Sequence, residues 1–367
     1  MAVYKIFPSA DAAIYSSAPA QNTGIDEILE VGTKNNMTPL NYFVDPVPEH
    51  PLLDDDLRRS LVLFSNEDLN TLKTYTTGSW KTYLKLYLAN AENLNTTYSV
   101  EIRQVSQSWD MGTGKRSDIP QTRNGVCWYN TSSYYSSTTD WVNAQYYLTQ
   151  GGGSWTGSFL SQSFGYKDNK DIDINVTPIV NNWFSGSLNA GFIIKHPQAI
   201  ENNSGSYIAL SFFSVDTHTI YPPTIEMKWD DSSFSPGALS VINNSNTVVT
   251  LANNTSTYKY GTDRYKFRIN ARDKYPTRVF TTASLYTTNK ALPETSCWAL
   301  QDVKTEDMVV NFDDIYTKIS CDGTSSYFNM YMNGLEPERY YQILIKTTVD
   351  GTTKILDNKY YFKVING

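Results

Sequence analysis

Several groups of residues in this chain have types and spacings that invite a chemical reading. Asp171, Asp173 and Asn175 alternate as the first three ligands of a calcium loop do. Such a loop needs glycine at its sixth position and a bidentate glutamate at its twelfth, and here those positions hold Val176 and Asn182. The alternation therefore reads as the wet face of a strand. Gly112, Gly114 and Lys115 hint at a phosphate-cradling loop, but Trp109 stands where the first glycine belongs and Arg116 replaces the magnesium-binding hydroxyl. His50, His196 and His218 are the only histidines, and none sits in a metal or nucleophile motif. A glycosidase needs two carboxylates about 5 to 10 Å apart across a cleft; Asp and Glu are plentiful, yet nothing singles out a pair. No catalytic residue, metal-ligand set or cofactor motif is expected, and the chain reads as a non-enzyme.

Aromatic residues make the better case for a binding surface. Trp109, Trp128, Trp141 and Trp155, with Tyr129, Tyr134 and Tyr135, lie in or beside a long loop rich in Ser, Thr and Gly. Aromatic faces stack on sugars or anchor protein interfaces. Trp128, Tyr129, Tyr134, Tyr135, Trp141 and Trp155 are the candidate binding residues, against the alternative that several of them cover a sandwich edge as core. Asp54, Asp55 and Asp56 read as a solvated acidic loop. Cys127, Cys297 and Cys321 are odd in number and widely spaced, so buried thiols are expected, with a Cys297–Cys321 bridge as the alternative.

The elements that must hold these residues are mostly strands. The chain of 367 residues contains 27 Tyr, 15 Phe and 8 Trp among many Thr, Ser and Asn, a mixture that favours strands and turns over helices. A net charge of -7 without any basic cluster argues against nucleic acid as a partner. No apolar run of about 18 residues is present, so no membrane-spanning helix is expected. The start, Met1 to Pro8, lacks a basic segment and apolar core, so synthesis in the cytoplasm without a secretory leader is expected.

One stretch organises the rest. Ile172, Ile174 and Val176 alternate with polar residues as a strand; Val176, Ile179, Val180, Trp183 and Phe184 then fall at helical spacing. Thr177 is expected to cap that short helix, Pro178 to occupy its first position and Gly186 to stop it, while Trp183 plugs the end of a sheet sandwich. Strands are expected at 3–7, 9–15, 28–31, 60–64, 82–89, 97–105, 191–194, 207–213 and 223–229. Residues 33–59 and 115–163 read as long loops. Residues 231–237 read as a linker, and 238–367 carry about seven short strands, an Asp350-Gly351 hairpin turn and a tyrosine-bearing corner at 333–341, which suggests an immunoglobulin-like sandwich.

Landmarks in residues 1–230 resemble the DNRLRE-type module. They are Asp11 to Ser17, Asn22 to Gly24, Leu29 to Gly32, Arg59 to Phe64, Tyr83 to Tyr87, Ser108-Trp109, Asp173 to Trp183, Asn189 to Ile194 and Pro223 to Met227, in that order. That family consists of jelly-roll β-sandwiches of bacterial surface proteins, polysaccharide-acting enzymes and phage virion proteins. The loops at 33–59 and 115–163 exceed what the module usually carries. Lys304 to Met308 and Leu335 to Tyr341 are similar to segments of structural proteins from tailed bacteriophages. The resemblance implies an all-β chain: a jelly-roll, carbohydrate-binding-module-like sandwich at 1–230, followed by the immunoglobulin-like one. It further implies a virion protein of the tail, neck or head-decoration region, whose partners are other virion proteins and copies of itself. The alternative is a carbohydrate-binding or adhesin module recognising cell-surface glycan.

Overall fold

The computed structural model describes residues 2–35, 55–76, 78–94, 97–132, 140–141, 151–165, 167–201, 208–261, 264–276 and 288–366. The protein is all-β, with 46% strand against 7% helix, which leaves helices only as local plugs. In chain order the elements are β1 (Ala2–Ile6), β2 (Ala10–Tyr15), β3 (Ile28–Asn35), β4 (Asp55–Leu63), α1 (Asn66–Thr74), β5 (Trp80–Leu86), β6 (Leu88–Glu92), β7 (Tyr98–Val105) and β8 (Trp155–Phe164). Then come β9 (Ile172–Asn175), α2 (Thr177–Phe184), β10 (Phe192–Lys195), α3 (Gln198–Glu201), β11 (Ala209–Phe213) and β12 (Thr224–Trp229). The remaining strands are β13 (Thr247–Leu251), β14 (Thr257–Lys259), β15 (Arg264–Asp273), β16 (Cys297–Asp302), β17 (Met308–Val310), β18 (Ser320–Cys321), β19 (Ser326–Tyr331), β20 (Tyr340–Val349) and β21 (Thr352–Ile365).

The chain divides into two compact units, one of Ile6–Lys73 and Thr82–Glu226, the other of Met1–Lys5, Thr74–Lys81 and Met227–Gly367. Four strands form a sheet in the order β1-β12-β5-β9. The larger sheet of the first unit runs β6-β11-β3-β4-β10-β7-β8, with β2 also paired to β4. Its central strands are apolar on both faces, as in β10, where Phe192, Ile193 and Ile194 are all buried.

Helix α2 forms where expected but is capped differently. Val176 occupies the N-cap without a side-chain bond, and the Thr177 hydroxyl instead accepts the Thr82 N–H at 2.9 Å and donates to Asn175 Oδ1 at 2.6 Å. The hydroxyl thus ties the helix start to β5. Pro178 sits in the first turn, and Gly186, at φ +100°, follows the C-cap Ser185. Ile179, Val180 and Trp183 are buried, with the Trp183 ring 4.8 Å from that of Phe192.

The expected loop at 115–163 contains a strand that sequence reading missed. β8 pairs with β7 from Tyr98 opposite Phe164 to Val105 opposite Trp155. Its alternation is hidden because an inward position holds Gln162, whose amide accepts the Asp173 N–H at 2.9 Å and donates to Asp171 O at 3.0 Å. One side chain thereby serves the open edge of β9. β16 was missed as well, because five of its six residues are buried and no alternation remains to see.

Most of the described chain between β7 and β8 forms a layer over the larger sheet. Trp109, Val126, Trp128 and Trp141 pack with Ile14, Leu61, Val105 and Ile193 into one apolar cluster. Asn22, fully buried, fastens this layer: its amide donates to Met111 O at 2.7 Å and Val126 O at 2.8 Å, and its Oδ1 accepts the Gly114 N–H at 2.7 Å. Gly151 lies at φ +102° with Trp128 O 2.2 Å from where a Cβ would stand, so only glycine permits this approach.

In the second unit, β13-β15-β19-β18 and β14-β21-β20-β16-β17 contribute opposed apolar faces to a common core. Trp298 stacks on Phe328 at 4.8 Å, and Phe328 on Phe267 at 5.2 Å. The Tyr341 hydroxyl donates to Glu336 O at 3.1 Å, fixing the corner before β20. Asp350 and Gly351, at φ +52° and +70°, make the expected tight hairpin between β20 and β21. Cys127, Cys297 and Cys321 are buried free thiols.

Candidate functional site

The densest polar constellation lies in the first unit, where β4, β10, β7 and β8 run side by side. Ile194 faces Ser60, Lys195 faces Glu101, and Glu101 faces Ser161. Arg59, one residue before Ser60, comes into the same row. From α3, Glu201 turns back onto it. Arg59 grips Glu201 through Nε to Oε1 at 3.0 Å and Nη2 to Oε2 at 2.9 Å. Lys195 Nζ donates to Glu201 Oε2 at 3.1 Å and lies 3.9 Å from Glu101 Oε2, which Arg103 Nη2 approaches at 2.9 Å.

Arg59, Glu101, Lys195 and Glu201 are all buried, so each charge must be answered locally. Burial pushes the Glu201 carboxyl up, but Arg59 and Lys195 more than offset it and hold it below its ordinary value. Burial pulls the Lys195 ammonium down; Glu201 opposes this, Arg59 adds to it, and the net direction is downward. A carboxylate held ionised in this way is a poor general acid. His196, just past the end of β10, is buried with Nδ1 2.9 Å from Ser99 O, and burial lowers its pKa.

The predicted aromatic residues meet different fates. Trp128 is 1% exposed and Trp141 5%, both within the apolar layer, and the Trp141 indole N–H donates to Cys127 O at 3.0 Å. Tyr129 is half-buried against the same layer. Trp155, also half-buried, has three cations over its ring: Arg59 at 5.4 Å, Lys195 at 5.6 Å and Arg103 at 5.7 Å. Tyr134 and Tyr135 lie outside the described residues. Among the described residues of the six, Trp155 meets three cations of the charged row and Trp128 carries one of them, Arg59, over its ring at 5.0 Å.

Sequence reading missed Arg59, Glu101, Lys195 and Glu201. A signal existed: Lys195 ends the otherwise apolar run Phe192 to Ile194, and a cation there needs a buried partner. Of the acidic run, Asp56 accepts Arg58 Nε at 2.9 Å and the Ser17 hydroxyl at 2.5 Å, so it is a buried pairing residue; Asp54 lies outside the described residues. Among the described residues, no group of three or more His, Cys, Asp or Glu side chains is placed to hold a metal ion.

No family model matches the chain, and no curated protein matches it. Among solved structures it aligns with a DUF4785 family protein from Legionella pneumophila at 9% identity, covering 98% of this chain and 66% of that one, with a TM-score of 0.17. It also aligns with the β-glucuronidase of Parabacteroides merdae at 8% identity, covering 96% of this chain and 36% of that one, again with a TM-score of 0.17. The chain spans about two thirds of the first protein and about a third of the second. At these scores neither likeness bears on activity.

Proposed function

We propose that this chain is a non-enzymatic structural protein of a tailed bacteriophage virion, in the tail, neck or head-decoration region, acting through protein–protein assembly. The observation that carries the reading is the use made of the aromatic loop. Trp128 and Trp141 are buried in internal packing, and half-buried Trp155 carries three cations over its ring, which favours a packing role for these residues over sugar stacking. The row of buried charges has the character of a rigid fastening.

The proposed architecture is two rigid blocks. For the C-terminal block, the two strand orders support an immunoglobulin-type sandwich, as do the buried Trp298 on β16 and the Tyr341 corner bond. For residues 1–230, the order of sequence landmarks supports a jelly roll. The test is to probe purified virions by antibody labelling and by protein mass spectrometry. Stoichiometric presence in the particle supports assembly. Absence from particles, together with saturable binding on a glycan array that Trp155→Ala abolishes, overturns the reading in favour of a carbohydrate-binding module.

A further inference from the structure

Charge is spread unevenly along the chain. Residues 1–237 hold 15 Lys and Arg against 24 Asp and Glu, whereas residues 238–367 hold 15 against 13. A protein that is acidic as a whole therefore ends in a part that is not. Much of the difference stands on one strand. Phe267, Ile269 and Ala271 of β15 point into the core, which turns Arg264, Lys266, Arg268, Asn270 and Arg272 onto the opposite face. Spaced by two, the cations form no run in the sequence but one row on the sheet, about 27 Å long. Arg264 and Lys266 are exposed, and Arg268 and Arg272 half-buried. Few acids answer them. Asp322 serves Arg268 at 2.9 Å and Lys266 at 3.4 Å, and Asp273 is taken by Lys290 at 2.5 Å. Arg272 donates to the Asp273 carbonyl at 3.0 Å and Arg264 stands opposite Tyr331, so among the described residues one carboxylate answers four cations.

We propose that the outward face of β15 is a docking track for an acidic polysaccharide, a glycan polymer whose carboxylate or phosphate groups lie along the strand against the row of cations. The site is separate from the assembly reading above and does not depend on it. The make-up of the face decides the occupant. A protein interface is built round a desolvated apolar or aromatic centre. Here no apolar side chain in the row or directly opposite it is exposed: Val248, opposite Arg272, and Tyr327, opposite Arg268, are half-buried. Nucleic acid fits no better. A duplex is read by an element that enters its groove, and single strands are held on open aromatic faces. β15 is flanked in its sheet by β13 and β19, and the Tyr327 ring already lies under Lys266 at 3.6 Å and Arg268 at 5.9 Å. An acidic glycan needs neither a groove element nor a free ring. Its charges meet guanidinium and ammonium groups in line, with release of counterions. Its hydroxyls find neutral partners in Asn270, in Thr250 opposite it and in Asn329 opposite Lys266.

The test is affinity electrophoresis of the full chain through gels containing polygalacturonate, which carries carboxylates, or a glycerol-phosphate teichoic acid, which carries phosphates. Retardation by at least one is expected, the stronger naming the anion, with none by neutral dextran. Raising salt from about 50 to about 200 mM should weaken the binding by about tenfold. Lys266→Glu with Arg272→Glu should abolish it. Lys266→Gln with Arg272→Gln, which removes charge without reversing it, should weaken it by about threefold or more. Lys304→Glu, at an exposed position between β16 and β17, should change it little. An unchanged thermal unfolding midpoint shows that each variant folds. No retardation by either polymer overturns the proposal, as does equal retardation by dextran or retention in the double glutamate variant. Tighter binding of a single-stranded oligonucleotide, or self-association that the same substitutions abolish, gives the face another occupant and also overturns it. Binding lost on Trp155→Ala but kept in the row variants overturns this proposal and the assembly reading together. Binding lost only in the row variants supports the track and leaves the assembly reading standing.

Discussion

Asp11 gives the sharpest test of the energetics, because its burial is nearly complete and its hydrogen bonding only half so. On β2 it is 1% exposed; Oδ2 accepts the Val215 N–H at 2.7 Å, and Oδ1 has no partner among the described residues. Burial, with a smaller push from Asp216 and against the Val215 bond, raises its carboxyl from 3.8 to about 7. The sign follows directly. Below the unfolded value both states hold the proton, and the group's contribution to stability is intact. As pH rises from there, the unfolded chain releases the proton first, and stability falls until the folded carboxyl ionises near 7. Over that window the loss amounts to about 4 kcal/mol. Asp11→Asn keeps the shape and an acceptor for Val215 but cannot ionise. Urea melts of both proteins between about pH 5 and about pH 8 should show the difference moving by about 2 to 3 kcal/mol in favour of asparagine. Taking the difference cancels the other titrating groups. A difference that stays flat across this range refutes the reasoning, whatever its absolute value.

Three further outcomes are expected. Trp183→Ala removes the ring packed on Phe192 and should destabilise by about 3 to 5 kcal/mol in a urea melt; under about 1 kcal/mol would mean that α2 plugs nothing. Glu201→Gln leaves the buried Arg59 and Lys195 without their carboxylate and should destabilise by about 3 to 5 kcal/mol, with a loss near zero showing that the row is solvated. Gln162→Ala unties β9 and should destabilise by about 0.5 to 1.5 kcal/mol. Hydrogen exchange at the Asp173 amide should accelerate in that variant, and unchanged exchange would show that the bond is not maintained in solution.

Sequence reading succeeded where periodicity was clean. The alternation of Ile172 and Ile174, the helical stripe through Trp183 and the Asp350-Gly351 turn each lead to the element that forms. It failed where a polar residue took an inward position for a local reason, as Gln162 does in β8, or where a strand is buried almost throughout, as in β16. The site was harder still. The tryptophans were visible, but their use was not, because the layer they build depends on Asn22 and Gly151, distant residues whose types alone say nothing of whom they meet. Arg59 and Glu201 are separated by more than a hundred residues, and no local pattern joins them. Asn22 shows the same limit: its three bonds to Met111, Gly114 and Val126 reach residues about ninety or more positions away, and no local pattern marks it.

The three buried thiols bear on where such a chain can work. Burial pushes Cys127 and Cys321 up and Cys297 up to about 11, so each is almost wholly protonated near neutrality and slow to react with oxidants or disulfides. With no disulfide to make or break, the covalent structure is the same in reducing and in oxidising surroundings. The fold is held without disulfides, by packing, by backbone and side-chain hydrogen bonds and by paired charges beneath its loops.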